Sequence, residues 1–172
     1  LWPVAFLQYE TLRAIALPLL IAAMAALAAL ASLLVFWPAS LSGRLTLVLC
    51  VLASAPVLRG LVLEQLTIVV ALLVIAAMVA IQRDRLVLAG VLLAAASIKP
   101  QIALVPVLWG LMWSFSDWKR RKRLAVTLMV SGIILLIVSE LLLPGWIHEF
   151  LAGVSSYTRY TGGNSVLTML LG

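Results

Sequence analysis

"AAASIKPQIALVP", residues 94–106, places a lysine, a proline and a glutamine within a long apolar run. No acidic residue lies within ten positions of Lys99. An unpaired ammonium inside hydrocarbon costs at least about 2.5 kcal/mol on insertion scales. Pro100 breaks a helix, and the backbone groups that it frees are tolerated only where protein or water lines a cavity. The stretch predicts a bend with Lys99 in a wet cavity, or else a lysine whose stem carries its ammonium to the outer headgroups.

The composition around this stretch is that of an integral, multi-pass membrane protein. The chain has 172 residues, of which 65% are hydrophobic and 10% are charged, and its mean hydropathy is +1.23. Twelve Lys and Arg against six Asp and Glu give a charge of +6. Because no soluble basic domain is visible, we attribute this excess to membrane topology and expect no nucleic-acid partner. The predicted fold class is all-α, a polytopic transmembrane helix bundle, since lipid leaves the backbone few other ways to satisfy its hydrogen bonds.

Six apolar stretches are separated by charged residues or by proline and glycine. We predict a single transmembrane domain over residues 1–172, and "SVLTMLLG" at 165–172 resembles the start of a further span. The chain opens on Leu1 and shows no signal peptide, so we expect it to be a fragment of a longer membrane protein. The six stretches run from Leu12 to Trp37, Leu45 to Leu58, Leu61 to Ile81, Leu86 to Ile98, Ile102 to Phe115 and Leu124 to Leu143.

Two basic clusters predict the topology. "QRDR" at 82–85 and "DWKRRKR" at 117–123 both mark cytoplasmic loops by the positive-inside rule. The two apolar segments between them must then go out and come back, with the hinge at Lys99 and Pro100 in the exterior half of the bilayer. A single long kinked helix would instead place the clusters on opposite sides. We favour the hairpin, in a bacterial plasma membrane, with the functional site on the exterior face.

Small residues predict packing rather than chemistry. Gly90, Ala94 and Ser97 would let the helix before the hinge approach a neighbour closely. Cys50 stands alone in an apolar run and is expected to be a small core residue. We therefore expect no disulfide, no metal site and no cofactor.

A second polar intrusion, "RGLVLEQLTIVV" at 59–70, places Glu64 and Gln65 at the start of a span on the same predicted side as the hinge. We predict that Glu64, Gln65, Lys99 and Gln101 converge in one leaflet as a polar site. In the alternative interpretation, Glu64 pairs with Arg59 or Lys99 and only fixes helix packing.

The long polar segment "PGWIHEFLAGVSSYTRYTGGNS", residues 144–165, is predicted to be an exterior loop. Its Tyr157, Arg159 and Asn164 are suited to sugar recognition, since aromatic rings cover sugar faces and polar groups bind hydroxyls. In the alternative interpretation, the segment begins with an interfacial helix that keeps Trp146 and Phe150 in lipid.

The order of these motifs resembles glycosyltransferase family 87, a group of membrane enzymes in the GT-C superfamily. "LRGLVLEQLTIVVALLVIAA" at 58–77 is followed by "QRDR", by "LAGVLLAAASIKPQIALVPVLW" at 88–109 and by a basic loop. In the family a Gly-Gln pair opens one span, and an Ala-Gly helix leads to a Lys-Pro hinge. Gln65, Ala89, Gly90, Lys99 and Pro100 match this pattern. Glu64 departs from it, because it stands where glycine is usual.

The resemblance implies a hexosyltransferase, with a mannose-like sugar favoured. The donor would be a polyprenyl-phosphate-linked sugar, and the acceptor would be a lipid or a glycan outside the cytoplasm. The resemblance also implies an acidic base in the first exterior loop, which we expect to precede Leu1. In this chain we take Glu64 and Glu10 as candidate catalytic carboxylates. The candidate substrate-binding residues are Lys99, Gln65, Gln101, Arg59, Arg159, Tyr157 and Asn164.

Two other function classes use similar features. A secondary transporter or lipid flippase would also use a broken helix and a buried charge, but it predicts a pseudo-repeat of the hinge, and the sequence shows none. The sequence is also compatible with a non-catalytic scaffold subunit, because Glu64 replaces the usual glycine.

Overall fold

The computed structural model describes residues 9–34, 40–62 and 65–160, and the regular secondary structure of this part of the chain is all α-helix. Compact packing divides the chain into two units, residues 1–132 and 133–172. The described helices are α1 (Tyr9–Leu34), α2 (Leu41–Leu52), α3 (Ala55–Val62), α4 (Thr67–Gln82), α5 (Leu86–Ala96), α6 (Pro100–Ser116), α7 (Trp118–Leu142) and α8 (Trp146–Tyr160).

The expected all-α membrane bundle is confirmed. Within the described ranges, α7 and residues 14–34 of α1 are long and apolar enough to cross a bilayer alone, and α2, α4 and α5 are shorter apolar helices. Large apolar side chains such as Leu19, Val105 and Leu141 are exposed at 64%, 72% and 75%. Exposure on this scale is costly in water but not in lipid, so it fits a membrane protein.

The second predicted span differs from the structure. Leu45 to Leu58 is not one helix, because α2 ends at Leu52 and α3 begins at Ala55. The Ser54 hydroxyl donates to the Val51 carbonyl at 2.8 Å, which satisfies a backbone acceptor at the break. The expectation that Cys50 is a core residue is also wrong. Cys50 is exposed on a helix without buried residues, because an apolar side chain in a membrane needs no protein cover.

The turn between α4 and α5 is built by a helix C-cap. Asp84 has a positive φ of 56°, its N–H donates to the Ile81 carbonyl at 3.0 Å, and the Arg85 N–H donates to the Ala80 carbonyl at 2.8 Å. These are the two hydrogen bonds of a Schellman motif, in which aspartate tolerates the left-handed position that glycine usually occupies. The motif reverses the chain and places Arg85 directly before α5.

Helices α5 and α6 form a hairpin. A Cβ atom at Gly110 would lie 3.2 Å from the Leu93 side chain, although the two residues would be about 25 Å apart in a straight helix. Leu93 is fully buried and belongs to a core cluster with Ala89 of α5 and Leu124 of α7. The contact confirms the predicted hairpin and excludes the single kinked helix.

Helix α5 also packs closely against the backbone of α7 at Gly90. A Cβ atom at Gly90 would lie 2.9 Å from the Leu124 carbonyl oxygen and 2.9 Å from the Leu128 amide nitrogen. Gly90 and Ala94 are buried, as the small-residue pattern predicts. Ser97 is exposed instead, and its hydroxyl donates to the Ala94 carbonyl of its own helix.

Residues 9–132 therefore have two distinct ends. At one end, which we call the basic end, Arg85, Arg120 and Arg123 line the same groove. The Gln82 side chain donates to the Leu34 carbonyl at 3.1 Å, so α1 and α4 both finish there. The opposite end, the hinge end, contains the α5–α6 connection at residues 97–99 and the start of α4.

In the second unit, a carboxylate closes the turn before α8. Glu140 accepts a hydrogen bond from the Gly145 N–H at 2.8 Å, and Gly145 has a φ of 83°. A side chain at Gly145 would be strained at this φ. Trp146 and Phe150 contact each other on α8 with ring centroids 6.3 Å apart.

Candidate functional site

The α5–α6 hinge presents Lys99 directly before a new helix. Helix α5 ends at Ala96, and the Lys99 N–H donates to the Ala96 carbonyl at 3.2 Å. The Lys99 carbonyl accepts from the Ile102 and Ala103 N–H groups at 3.1 and 3.2 Å. Pro100 is the first residue of α6, where its missing N–H costs nothing and its fixed φ suits a helix. Lys99 is therefore held at the N-terminus of α6.

A tight turn places the start of α4 beside this hinge. The Gln65 N–H donates to the Gly60 carbonyl of α3 at 3.0 Å, and the Gln65 carbonyl accepts from the Ile68 N–H at 3.2 Å. Helix α4 then begins at Thr67. These two hydrogen bonds fix the backbone of Gln65 directly before α4.

A small buried cluster joins the two elements. It contains Val70 of α4, Ala96 of α5 and Ala103 of α6, which are exposed by 0%, 0% and 1%. Val70 is one helical turn beyond Thr67 and lies on the same face of α4. Ala96 and Ala103 flank Lys99 at three residues before and four residues after. Close packing of these three residues therefore brings Lys99 against Thr67.

The Lys99 ammonium meets the Thr67 hydroxyl. Lys99 Nζ donates a hydrogen bond to Thr67 Oγ1, and the Lys99 side chain is half-buried. Among the side chains that the structure describes, Lys99 makes no ion pair with a carboxylate. Its positive charge is positioned but not neutralised by any of these side chains.

The electrostatics of this site favour an anion. Helices α4 and α6 both begin at the hinge end, and the N-terminus of a helix carries partial positive charge on its free N–H groups. The ammonium of Lys99 lies where these two N-termini meet. Two helix N-termini and a cation that no described carboxylate neutralises together favour a phosphate or another anion at this position.

The other predicted site residues fall at different places. Gln65 is exposed before α4, Gln101 is exposed in the first turn of α6, and Arg59 is exposed in the last turn of α3. Glu64 and Asn164 lie outside the described residues. For Glu10, Tyr157 and Arg159 the structure describes the helical backbone of α1 and α8 but not the side chains.

Thr67 is the residue that the sequence interpretation missed. A threonine at the start of an apolar helix resembles any other helix-start residue, so composition does not single it out. The available signal was its spacing, two residues after Gln65 and three before Val70, which places it on the face that packs against the hinge. Among the described residues, no group of three His, Cys, Asp or Glu side chains could hold a metal ion.

These features define a helical membrane protein with a cationic site at a Lys-Pro hinge. The family model of glycosyltransferase family 87 matches residues 1–172, which is the whole chain. The chain therefore belongs to glycosyltransferase family 87 and is a membrane glycosyltransferase. No curated protein and no solved structure matches it.

Proposed function

We propose that this protein transfers a hexose, with a mannose-like sugar favoured, from a polyprenyl-phosphate donor to a lipid or glycan acceptor. The observation that carries this proposal is the Lys99 ammonium, held against Thr67 where α4 and α6 begin. The polyprenyl tail of such a donor stays in lipid and its phosphate lies near the headgroups. The Lys99 ammonium at the hinge end is expected at a similar depth to that phosphate. The reason is that α5 is only about 17 Å long, whereas the hydrocarbon core is roughly 30 Å thick.

The proposed reaction raises the negative charge next to Lys99. The acceptor hydroxyl oxygen forms a bond to the anomeric carbon, while the bond from that carbon to the donor phosphate oxygen breaks. The phosphodiester thereby becomes a phosphate monoester and gains about one negative charge. An ammonium beside this oxygen stabilises the transition state more than the bound donor, which is the requirement for catalysis.

The proton of the acceptor hydroxyl goes to a carboxylate base. Within this chain we assign that role to Glu64 first and Glu10 second. Glu64 immediately precedes Gln65 and is three residues from Thr67, the residue that Lys99 contacts. Glu10 lies in the first turn of α1, ten residues before Leu20, or about 15 Å along the helix. Leu20 and Met24 of α1 cluster with Ile68 near the start of α4.

The proposed site faces the exterior of the cell. Arg85 of the α4–α5 turn and Arg120 and Arg123 of α7 line one groove at the basic end, and by the positive-inside rule we place that end at the cytoplasm. The hinge end then lies in the opposite leaflet. Gln65 and Gln101 are exposed there, and we propose that they bind the sugar hydroxyls.

Lys99→Met tests the proposal, because methionine keeps an apolar stem and deletes the ammonium. In the full-length enzyme, assayed with a polyprenyl-phosphate sugar, Lys99→Met should lower kcat about a hundredfold, or about 3 kcal/mol. Lys99→Arg should retain part of the activity, since its charge remains but shifts position.

Lys122→Met is the matched control, because Lys122 is exposed on α7 at the basic end. It should leave kcat unchanged, and all three variants should melt within a few degrees of the wild type. A Lys99→Met enzyme with the wild-type rate would refute the proposed role and leave Lys99 as an anchor in the headgroups.

A further inference from the structure

A groove at the basic end combines arginines with an apolar wall. Its volume is about 550 Å³, and it lies between the first turns of α5 and α7. Arg85, Arg120 and Arg123 provide three positive charges against one carboxylate, Asp84. The apolar wall consists of Leu86, Val87, Leu88 and Val91 of α5.

Only some of the basic residues at 117–123 line the groove. Arg120 and Arg123 are three residues apart, so they share one face of α7, whereas Lys119 and Lys122 do not line the groove. Arg121 turns elsewhere, since its guanidinium lies 4.0 Å from the Trp113 ring centroid and donates to the Ser116 hydroxyl at 2.7 Å. The groove is therefore a defined subset of the positive charge at this end.

Within the described residues, the arginines of the groove form no short ion pair. The contact of Arg120 with Asp117 is long, at 4.0 Å, and the Arg120 side chain is 87% exposed. Arg85 and Arg123 are also exposed. The guanidinium groups can thus form charge-assisted hydrogen bonds with a phosphate, for which their planar geometry is well suited.

The apolar wall points to a lipid rather than to a free anion. Val87, Leu88 and Val91 of the wall are exposed at 53%, 45% and 43%. They continue along α5 from the arginines toward the interior of the bilayer. A ligand that matches both parts has an anionic phosphate headgroup joined to an acyl chain.

We infer that this groove binds one anionic phospholipid at the membrane face opposite the proposed transfer site. The phosphate lies among Arg85, Arg120 and Arg123, and an acyl chain lies along Val87, Leu88 and Val91. A basic pocket between membrane helices is a known mode of anionic lipid binding. This inference does not depend on the proposed transferase chemistry.

Native mass spectrometry of the purified full-length protein, titrated with phosphatidylglycerol or phosphatidylcholine, tests the inference. The wild type should bind phosphatidylglycerol more tightly, and millimolar inorganic phosphate should not displace it. Arg120→Gln combined with Arg123→Gln should weaken phosphatidylglycerol binding about tenfold or more.

The matched control is Lys119→Gln combined with Lys122→Gln, which removes the same charge from the same helix outside the groove. It should weaken binding by less than about threefold. Arg85→Gln, on the other side of the groove, provides a second variant and should weaken binding severalfold. Equal losses in the two double variants would overturn the inference, because they would indicate general surface charge. So would equal binding of the two lipids by the wild type, or displacement of phosphatidylglycerol by inorganic phosphate.

Discussion

The Lys99 ammonium is positioned by the hydroxyl of Thr67. The position of Lys99 in an apolar run, without an acidic residue nearby in the sequence, indicates a functional charge. The sequence does not reveal its partner, because Thr67 is 32 positions away and contacts Lys99 only after α4, α5 and α6 have packed. The packing of Val70, Ala96 and Ala103 decides this contact, and the spacing of Thr67 along α4 indicates its helix face but not its partner.

Thr67→Val should lower the transfer rate without unfolding the protein. Valine has nearly the same shape but lacks the hydroxyl that accepts the Lys99 hydrogen bond. We expect a loss of about tenfold in kcat, smaller than that of Lys99→Met, because the ammonium remains but is less well positioned. Thr67→Ser restores the hydroxyl and should recover most of the rate.

The double variant of Thr67→Val and Lys99→Met tests whether Thr67 affects the transfer rate through Lys99 or independently of it. If Thr67 acts through Lys99, the double variant should be no slower than Lys99→Met alone. Fully additive losses would contradict a positioning role for Thr67.

Among the helices, the α5–α6 hairpin was predicted from the sequence and the α2–α3 break was not. The hairpin was predictable because two basic clusters must face the same side of a membrane, which is a constraint on the whole segment. The break between α2 and α3 had a local signal, Pro56, which has no N–H to donate to the Leu52 carbonyl and so favours a new helix start. The prediction of one span from Leu45 to Leu58 followed the apolar character of the stretch and overlooked this proline.

Gly90→Ala should destabilise the protein, because it forces α5 and α7 apart. The new Cβ would lie 2.9 Å from two backbone atoms of α7 and 2.9 Å from the Thr127 side chain. Overpacking of this kind costs about 1–3 kcal/mol, visible as a lower Tm in detergent. Gly132→Ala is the control, since nothing lies within 4 Å of its Cβ, and it should leave Tm unchanged or raise it. Equal Tm values for the two variants would show that α5 and α7 do not pack closely at Gly90.

At the scale of the whole molecule, the two ends of residues 9–132 have different chemistry. At the basic end, three arginines and one aspartate line an open groove. At the hinge end, the Lys99 ammonium is held by packing beside the N-termini of α4 and α6. The first arrangement suits a lipid headgroup with a permanent charge, and the second suits a phosphate whose charge grows during reaction. We therefore expect the donor to select the hinge end, although the basic end has more positive charge.

The most direct test of this claim is photo-crosslinking with a polyprenyl-phosphate sugar that carries a diazirine on the isoprene unit next to the phosphate. Labelled peptides of the full-length enzyme would be mapped by mass spectrometry, with and without excess unlabelled donor. We predict donor-protected labels at residues 65–67 and 97–101, which are lost in Lys99→Met and retained in Lys122→Met. Donor-protected labels confined to residues 83–88 and 118–123 would contradict the account, because they would place the donor at the basic end.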